Sequence, residues 1–345
     1  MPSNYRQEDQ RSHKIGIIFM PLPKVNLEPD FDILRISHTK FYVKDLEKSR
    51  LFYEKILGLQ VTAEAEKQIF LRGMEERTHH SLILEEGDSA KVESLSFRLK
   101  SEGEIDKAAS YFKKIGCEFE WVERPFQGKT LRTLDPHGMP LEFFYIIERL
   151  PTIHQKYYLY KGVKPLRVDH FNVFSPNVDE SVSFYNEIGF RTTEYTEDSK
   201  TKKLWAAWMH RKGGVHDIAF TNGVGPRFHH LAFWVAHPIN IIDLLDLMAS
   251  KGYVSNIERG PGRHGISNAF FLYILDPDGH RIEIYCSDYQ TIDPDHEPIH
   301  WDLTDPQRQT LWGAPAPKSW FEHGTNFRGV PIKKSSLNSK PIVAP

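Results

Sequence analysis

Three residues, His170, His230 and Glu283, have the side chains and settings that metal chemistry requires. Glu283 lies on the return strand of a predicted hairpin, with an outgoing strand over 270–275, a turn at Asp276-Pro277-Asp278-Gly279 and the return over 281–285. Side chains alternate along a strand, so Arg281, Glu283 and Tyr285 share one face and Ile282 and Ile284 the other. A carboxylate set among core-forming residues must be paired, protonated or metal-bound, because an unpaired buried charge costs several kcal/mol or more. Arg281 could supply an ion pair, so Glu283 alone does not decide between a salt bridge and a ligand. The same alternation turns His170 inward with Asn172, and His230 inward with Ala232 and Trp234. It turns His229 away, as the member of the pair that does not bind metal, unless a bulge exchanges the two. Two imidazoles and one carboxylate on three strands leave coordination positions open and suit Fe(II), with Mn(II) acceptable to the same donors.

The elements that must carry these residues are repeated. RISHTKFYVKDLEKSRLFYEKILGL at 35–59 parallels RVDHFNVFSPNVDESVSFYNEIGF at 167–190: a strand with a histidine (His38, His170), a turn, and a helix with a Phe-Tyr pair that ends at glycine (Gly58, Gly189). Two further units begin near Val92 and Phe228, and each closes on the same turn grammar, LDPHGMPLEFFY at 134–145 and LDPDGHRIEIYC at 275–286. The expected fold is α+β: four βαβββ modules paired into two domains, each a curved mixed sheet with helices on one side and a cleft on the other. The division predicted is an N-terminal arm over 1–30, a first domain over 31–150, a second over 165–290, and a tail over 291–345 that is partly a lid over the site. The last dozen residues have the composition of a mobile end. Duplication also provides an internal control. Where the second domain has His170, His230 and Glu283, the first has His38, Ser94 and Glu142, so its copy lacks one ligand and predicts no metal.

Composition narrows the alternatives. A formal net charge of -2 over 345 residues offers no attraction to nucleic acid or to an anionic membrane. The apolar run at 15–22 is too short to span a bilayer, and Cys117 and Cys286 form no CxxC spacing, so a cytoplasmic protein without a disulfide framework is expected.

DHFN at 169–172, AAWMHRKGGVHD at 206–217, GPRFHHLAFW at 225–234 and ERGPGRHGISNAFFLYILDPDGHRIEIYCSDY at 258–289 resemble the type I extradiol catecholic dioxygenases of the vicinal oxygen chelate superfamily. The resemblance covers about 30–320 and is strongest to members that act on 3,4-dihydroxyphenylacetate. It implies that His170, His230 and Glu283 bind Fe(II), or Mn(II) in some relatives, with O2 as co-substrate. It implies that His216 is the acid/base, that Asn172 positions O2, and that His264 and Tyr273 hold the oxygens of a small catecholic substrate. Trp208 would line the pocket, and Arg259 and Arg308 would meet a substrate carboxylate. Arg308 would be anchored by Trp301 and Trp312, in a tail folded over a cation-bearing loop at 259–264. The product would be a hydroxymuconic semialdehyde and the assembly a homo-oligomer, a tetramer. Gln309 departs from the second arginine expected beside Arg308, which leaves another substituted catechol open as substrate. A glyoxalase-like metalloenzyme and a metal-free binding module are the alternatives on the same fold.

Overall fold

The protein's structure is a computed structural model that describes residues 22–341, so most of the expected arm over 1–30 lies outside the described residues. The first two modules are β1 (Ile33–Val43), α1 (Leu46–Leu51, continuing as a π-helix over Phe52–Leu57), β2 (Gln60–Ala65), β3 (Gln68–Arg72) and β4 (Leu82–Glu86), then β5 (Lys91–Leu99), α2 (Glu104–Lys114), β6 (Phe119–Val122), β7 (Thr130–Leu134) and β8 (Pro140–Phe144). The third module is β9 (Arg167–Ser175), α3 (Val178–Glu187), β10 (Arg191–Asp198), β11 (Lys203–His210) and β12 (Ile218–Asn222). The fourth is β13 (Arg227–Trp234), α4 (Pro238–Ser250), β14 (Ile257–Arg263), β15 (Phe270–Leu275) and β16 (Arg281–Cys286). All four modules are βαβββ, as the repeats require.

Local chemistry sets the boundaries. Asp45 and Asn177 cap α1 and α3 by accepting from the backbone N–H of Lys48 and Glu180. Each helix is followed by a glycine in the left-handed region, Gly58, Gly116, Gly189 and Gly252. Space also demands a glycine at 58, where a Cβ would stand 2.0 Å from the carbonyl oxygen of Lys161. In the two hairpin turns Asp135 and Asp276 fold back to accept the backbone N–H of His137 and Met139, and of Asp278 and His280.

Each domain is one mixed sheet. The first runs β2-β3-β4-β1-β5-β8-β7-β6; the second repeats that order as β10-β11-β12-β9-β13-β16-β15-β14. In both, the two central strands are antiparallel and each has a parallel outer neighbour. The helices cover one face, where Phe52, Tyr53, Phe112 and Tyr185 are fully buried in a core that joins both domains. Tyr53 of the first module donates to Asp276 Oδ2 of the fourth at 2.9 Å, which ties the domains crosswise. No helix among the described residues is long and apolar enough to cross a membrane.

The tail adds to the second sheet. β17 (Ile299–Asp302) pairs with β10, β18 (Trp312–Gly313) with β14, and β19 (Thr325–Asn326), after α5 (Lys318–Glu322), with β13. Within the last dozen residues, two backbone carbonyls are tied to the second domain. The carbonyls of Leu337 and Ser339 accept from Asn222 Nδ2 at 3.1 Å and Trp205 Nε1 at 3.0 Å.

Candidate active site

β9, β13 and β16 lie side by side, with His230 opposite Asn172, and Ala232 between His170 and Glu283. The pleat then sends all three polar side chains to the concave face. His229 is the extra residue of a β-bulge, which leaves His230 facing inward. His170 Nε2 and His230 Nε2 stand 2.9 and 3.0 Å from Glu283 Oε2 and 3.2 Å from each other, all fully buried. The ion pair open to Arg281 does not form. Its guanidinium faces Glu258, with Nη2 2.8 Å from Oε1, and donates to the carbonyls of His229 and His323.

Hydrogen-bond partners set the protonation of these groups. Asp169 Oδ2 lies 2.9 Å from His170 Nδ1 and can only accept, so Nδ1 carries hydrogen and neutral His170 presents a lone pair at Nε2. Asp169 in turn accepts from Lys212 Nζ at 3.0 Å. Burial pulls His170 down, but Asp169 and Glu283 outweigh it and leave the ring above its ordinary value. Burial pulls His230 down to about 4. Burial alone would push Glu283 up, yet the two imidazoles beside it hold it well below the usual carboxylate range. Three electron-rich atoms therefore converge at one point, and only positive charge, as protons or as a metal cation, reconciles them. The donor set fits a divalent cation.

Around this point lies a small cavity that the three donors line together with aromatic and cationic side chains. All the predicted residues reach it: Asn172, Trp208, His216, Arg259, His264, Tyr273 and Arg308, besides the three possible ligands. His216 is in the loop before β12, and its ring centre is 3.8 Å from that of His170. Burial, with His170 second, holds it well below the ordinary histidine value, so it rests neutral with Nδ1 free of any partner among the described residues. His264 Nε2 is 3.0 Å from the Tyr273 hydroxyl, and burial keeps that phenol protonated. The ring is fixed from behind by the Gln309 carbonyl, which accepts from Nδ1.

The cavity is also lined by two cations. Arg259 and Arg308 are 3% and 0% exposed, and neither has a carboxylate partner among the described residues. Arg259 Nη2 donates to the Gln309 carbonyl and Thr310 Oγ1, but its Nε and Nη1, and all three nitrogens of Arg308, have no acceptor among the described residues. Burial pushes Arg259 down to about 10; burial, and then the Arg259 charge, push Arg308 down to about 9. Guanidinium holds its proton in proteins, so the tension is one that a bound anion relieves. The expected setting of these arginines needs two corrections. Residues 257–263 form β14, a bulged strand paired on both edges, because Gly260 and Gly262 let it lie against Phe271 and Trp312. Arg308 stacks over Trp205 at 5.0 Å, whereas Trp301 donates to Glu194 and Trp312 is half exposed against Phe270.

Trp205, Tyr285 and Trp320 line the cavity without having been singled out. Trp205 and Trp208 are three apart, so simple alternation separates them, but Trp205 is the unpaired residue of a bulge between Leu204 and Ala206. Tyr285 had a visible signal, since it shares the face of Glu283. Trp320 comes from the tail, where no period predicts direction.

Residues 35–143 and 167–284 match the Glyoxalase/Bleomycin resistance protein/Dioxygenase superfamily. The chain is 32% identical to a manganese-dependent 2,3-dihydroxybiphenyl 1,2-dioxygenase of Geobacillus genomosp. 3, over 83% of this chain and 96% of that protein. It is 32% identical to a metapyrocatechase of Geobacillus stearothermophilus, over 92% and 98% of the two chains. Among solved structures, an extradiol ring-cleaving dioxygenase from B. fuscum superposes with a TM-score of 0.87 at 42% identity, over 92% of this chain and 91% of that one. The anaerobic complex of homoprotocatechuate 2,3-dioxygenase from Brevibacterium fuscum with 3,4-dihydroxyphenylacetate gives 0.85 at 42% identity, over 90% and 99%.

Proposed function

The chain belongs to the Glyoxalase/Bleomycin resistance protein/Dioxygenase superfamily and is an extradiol ring-cleaving dioxygenase, and from that premise we propose that its substrate is 3,4-dihydroxyphenylacetate or a similar catechol with an acidic side chain. The ring opens beside the diol with both atoms of O2, giving a hydroxymuconic semialdehyde. The observation that carries this reading is one cavity lined both by three convergent metal donors and by two buried guanidinium groups that have no carboxylate partner among the described residues.

His170, His230 and Glu283 would hold Fe(II), with Mn(II) the alternative, and the metal supplies the open positions and electron exchange that O2 and a catechol need. The rest is work for the chain's own residues. His216, neutral and with a free ring nitrogen over His170, takes a proton as the catechol binds and returns one when the O–O bond breaks. Asn172, held by Thr221 at 3.3 Å, positions O2. His264 and Tyr273 hold the substrate oxygens; Trp208 and Trp205 wall the ring. Arg259 and Arg308 clamp the carboxylate by charge-assisted hydrogen bonds worth about 1.5–3 kcal/mol each. In this reading residues 31–150 carry no metal, and 291–345 close the site in part through Arg308, Gln309 and Trp320. A homotetramer follows from the resemblance to the type I enzymes, and a cytoplasmic setting from two cysteines without a disulfide framework. Anaerobic, metal-loaded protein mixed with 3,4-dihydroxyphenylacetate and then given O2 turns yellow with ring-fission product. A colourless mixture overturns the proposal.

A further inference from the structure

His229 reaches no part of the cavity, yet both its ring nitrogens are engaged. Its ring is buried between Phe174 and Trp320, with centroids 4.7 and 4.5 Å away. His229 Nε2 is 2.8 Å from the carbonyl oxygen of Trp320 in α5, and His229 Nδ1 is 2.7 Å from His230 Nδ1. A carbonyl can only accept, so Nε2 of His229 carries hydrogen. In the neutral ring Nδ1 is then an acceptor, and its partner, His230 Nδ1, must be the donor. That leaves the lone pair of His230 at Nε2, the atom facing Glu283. The tail is itself fastened to the same strands: Arg281 donates to the carbonyls of Ser319 and His323 on either side of Trp320, and of His229.

We infer that His229 is a positioning residue, a neutral relay that fixes the tautomer and ring orientation of His230 from a carbonyl of the C-terminal tail, so that docking of α5 and retention of the metal are coupled. This rests on the reading of His230 as a metal ligand. The two imidazoles are then oriented by different means. Asp169, an anion within the domain, supports His170; a neutral ring leaning on the tail supports His230. Coupling is reciprocal, so bound metal steadies α5 as much as α5 steadies the ligand.

Amide side chains separate the two halves of the relay. Asn places its carbonyl where imidazole has Nδ1, and so keeps an acceptor for His230. Gln places its amide where imidazole has Nε2, and so keeps a donor for Trp320. Mn(II) binding to metal-free full-length protein, read from the electron paramagnetic resonance of the free ion at one neutral pH, should be nearly unchanged in His229→Asn and weakened roughly 10–100-fold in His229→Gln and His229→Phe. Hydrogen exchange of the 318–323 amides should slow on adding Mn(II) in the wild type and in neither His229→Asn nor His229→Phe. A residue that only fills space would give the same affinity loss in all three variants, or none, with exchange still responding to Mn(II) in His229→Asn, and that result overturns the inference. A wild-type chain that binds no Mn(II) overturns the metal reading and this one with it, whereas normal wild-type binding with equal variants overturns this one alone.

Discussion

The two domains are one fold carrying opposite answers to the same electrostatic problem, a carboxylate buried at the centre of a curved sheet. Pairing register aligns them. His38 faces Ser96 as His170 faces Ala232, and Ser96 and Ala232 face Glu142 and Glu283. Ser94 therefore occupies the place of His230. Leu82 faces Thr39 as Ile218 faces Phe171, so His80 occupies the place of His216, and like it has a buried ring nitrogen without a partner. Following Val122 and Gly262 outward puts Arg124 at the place of His264. Arg124 donates to Glu142 through Nη2 at 2.6 Å and Nε at 3.1 Å, and holds that carboxyl below its ordinary value against the upward pull of burial. At the place of Arg259 the first domain has Glu120, the opposite charge. A buried glutamate needs positive charge in either copy. The first domain supplies it with its own guanidinium, and the second withholds it, leaving room for a cation from outside.

The sharpest way to break this comparison is at the histidine both copies keep. His216→Asn should lower kcat by about 10²–10⁴-fold with metal content unchanged, since it removes a proton carrier and no ligand. His80→Asn should leave kcat per metal-loaded site unchanged. Comparable losses in rapid-mixing assays of the two would mean that the first domain takes part in the chemistry.

The charge reversal at the anion end predicts a smaller effect. Arg308→Ala should raise KM for 3,4-dihydroxyphenylacetate about tenfold or more, while unsubstituted catechol is turned over almost as before. Steady-state kinetics on the pair decide it. Parallel losses on both would assign Arg308 to holding the tail in place and leave the acidic side chain unsupported.

Much of this comparison was legible in the sequence, and what was not has physical causes. The modules, the glycines after each helix and the paired Asp-Pro turns follow from local rules, so they could be read directly. His170, His230 and Glu283 followed from alternation along single strands. Arg124 was missed because it pairs across the sheet from beyond the end of β6, where no local period fixes its reach. His80 was missed because His79 stands beside it and only the pairing of β4 with β1 selects one of them. β14 looked like a loop because Gly and Pro weaken strand propensity, yet two neighbouring strands impose it. The tail strands are two to four residues long, too short to show alternation.

A separate effect is on stability in the first domain. Glu142→Gln removes one partner of a nearly buried ion pair and should destabilise at neutral pH by an amount near the low end of roughly 3–5 kcal/mol, since Arg124 is 22% exposed. Because the folded value of Glu142 is depressed, its contribution is present above the ordinary carboxylate value and is lost as pH falls through the depressed one. Urea unfolding of wild type and variant should therefore differ most near neutrality and converge in acid. A gap that stays constant with pH would show that the pair is not what the charge stabilises.

The central claim, that only the second copy holds metal, is tested most directly by metal analysis of three proteins purified alike: wild type, Glu283→Gln and Glu142→Gln. The expected result is about one Fe or Mn per chain in wild type and in Glu142→Gln, and none in Glu283→Gln, which loses the anionic member of a three-ligand set. Equal loss of metal from both variants, or full retention in Glu283→Gln, would contradict the account.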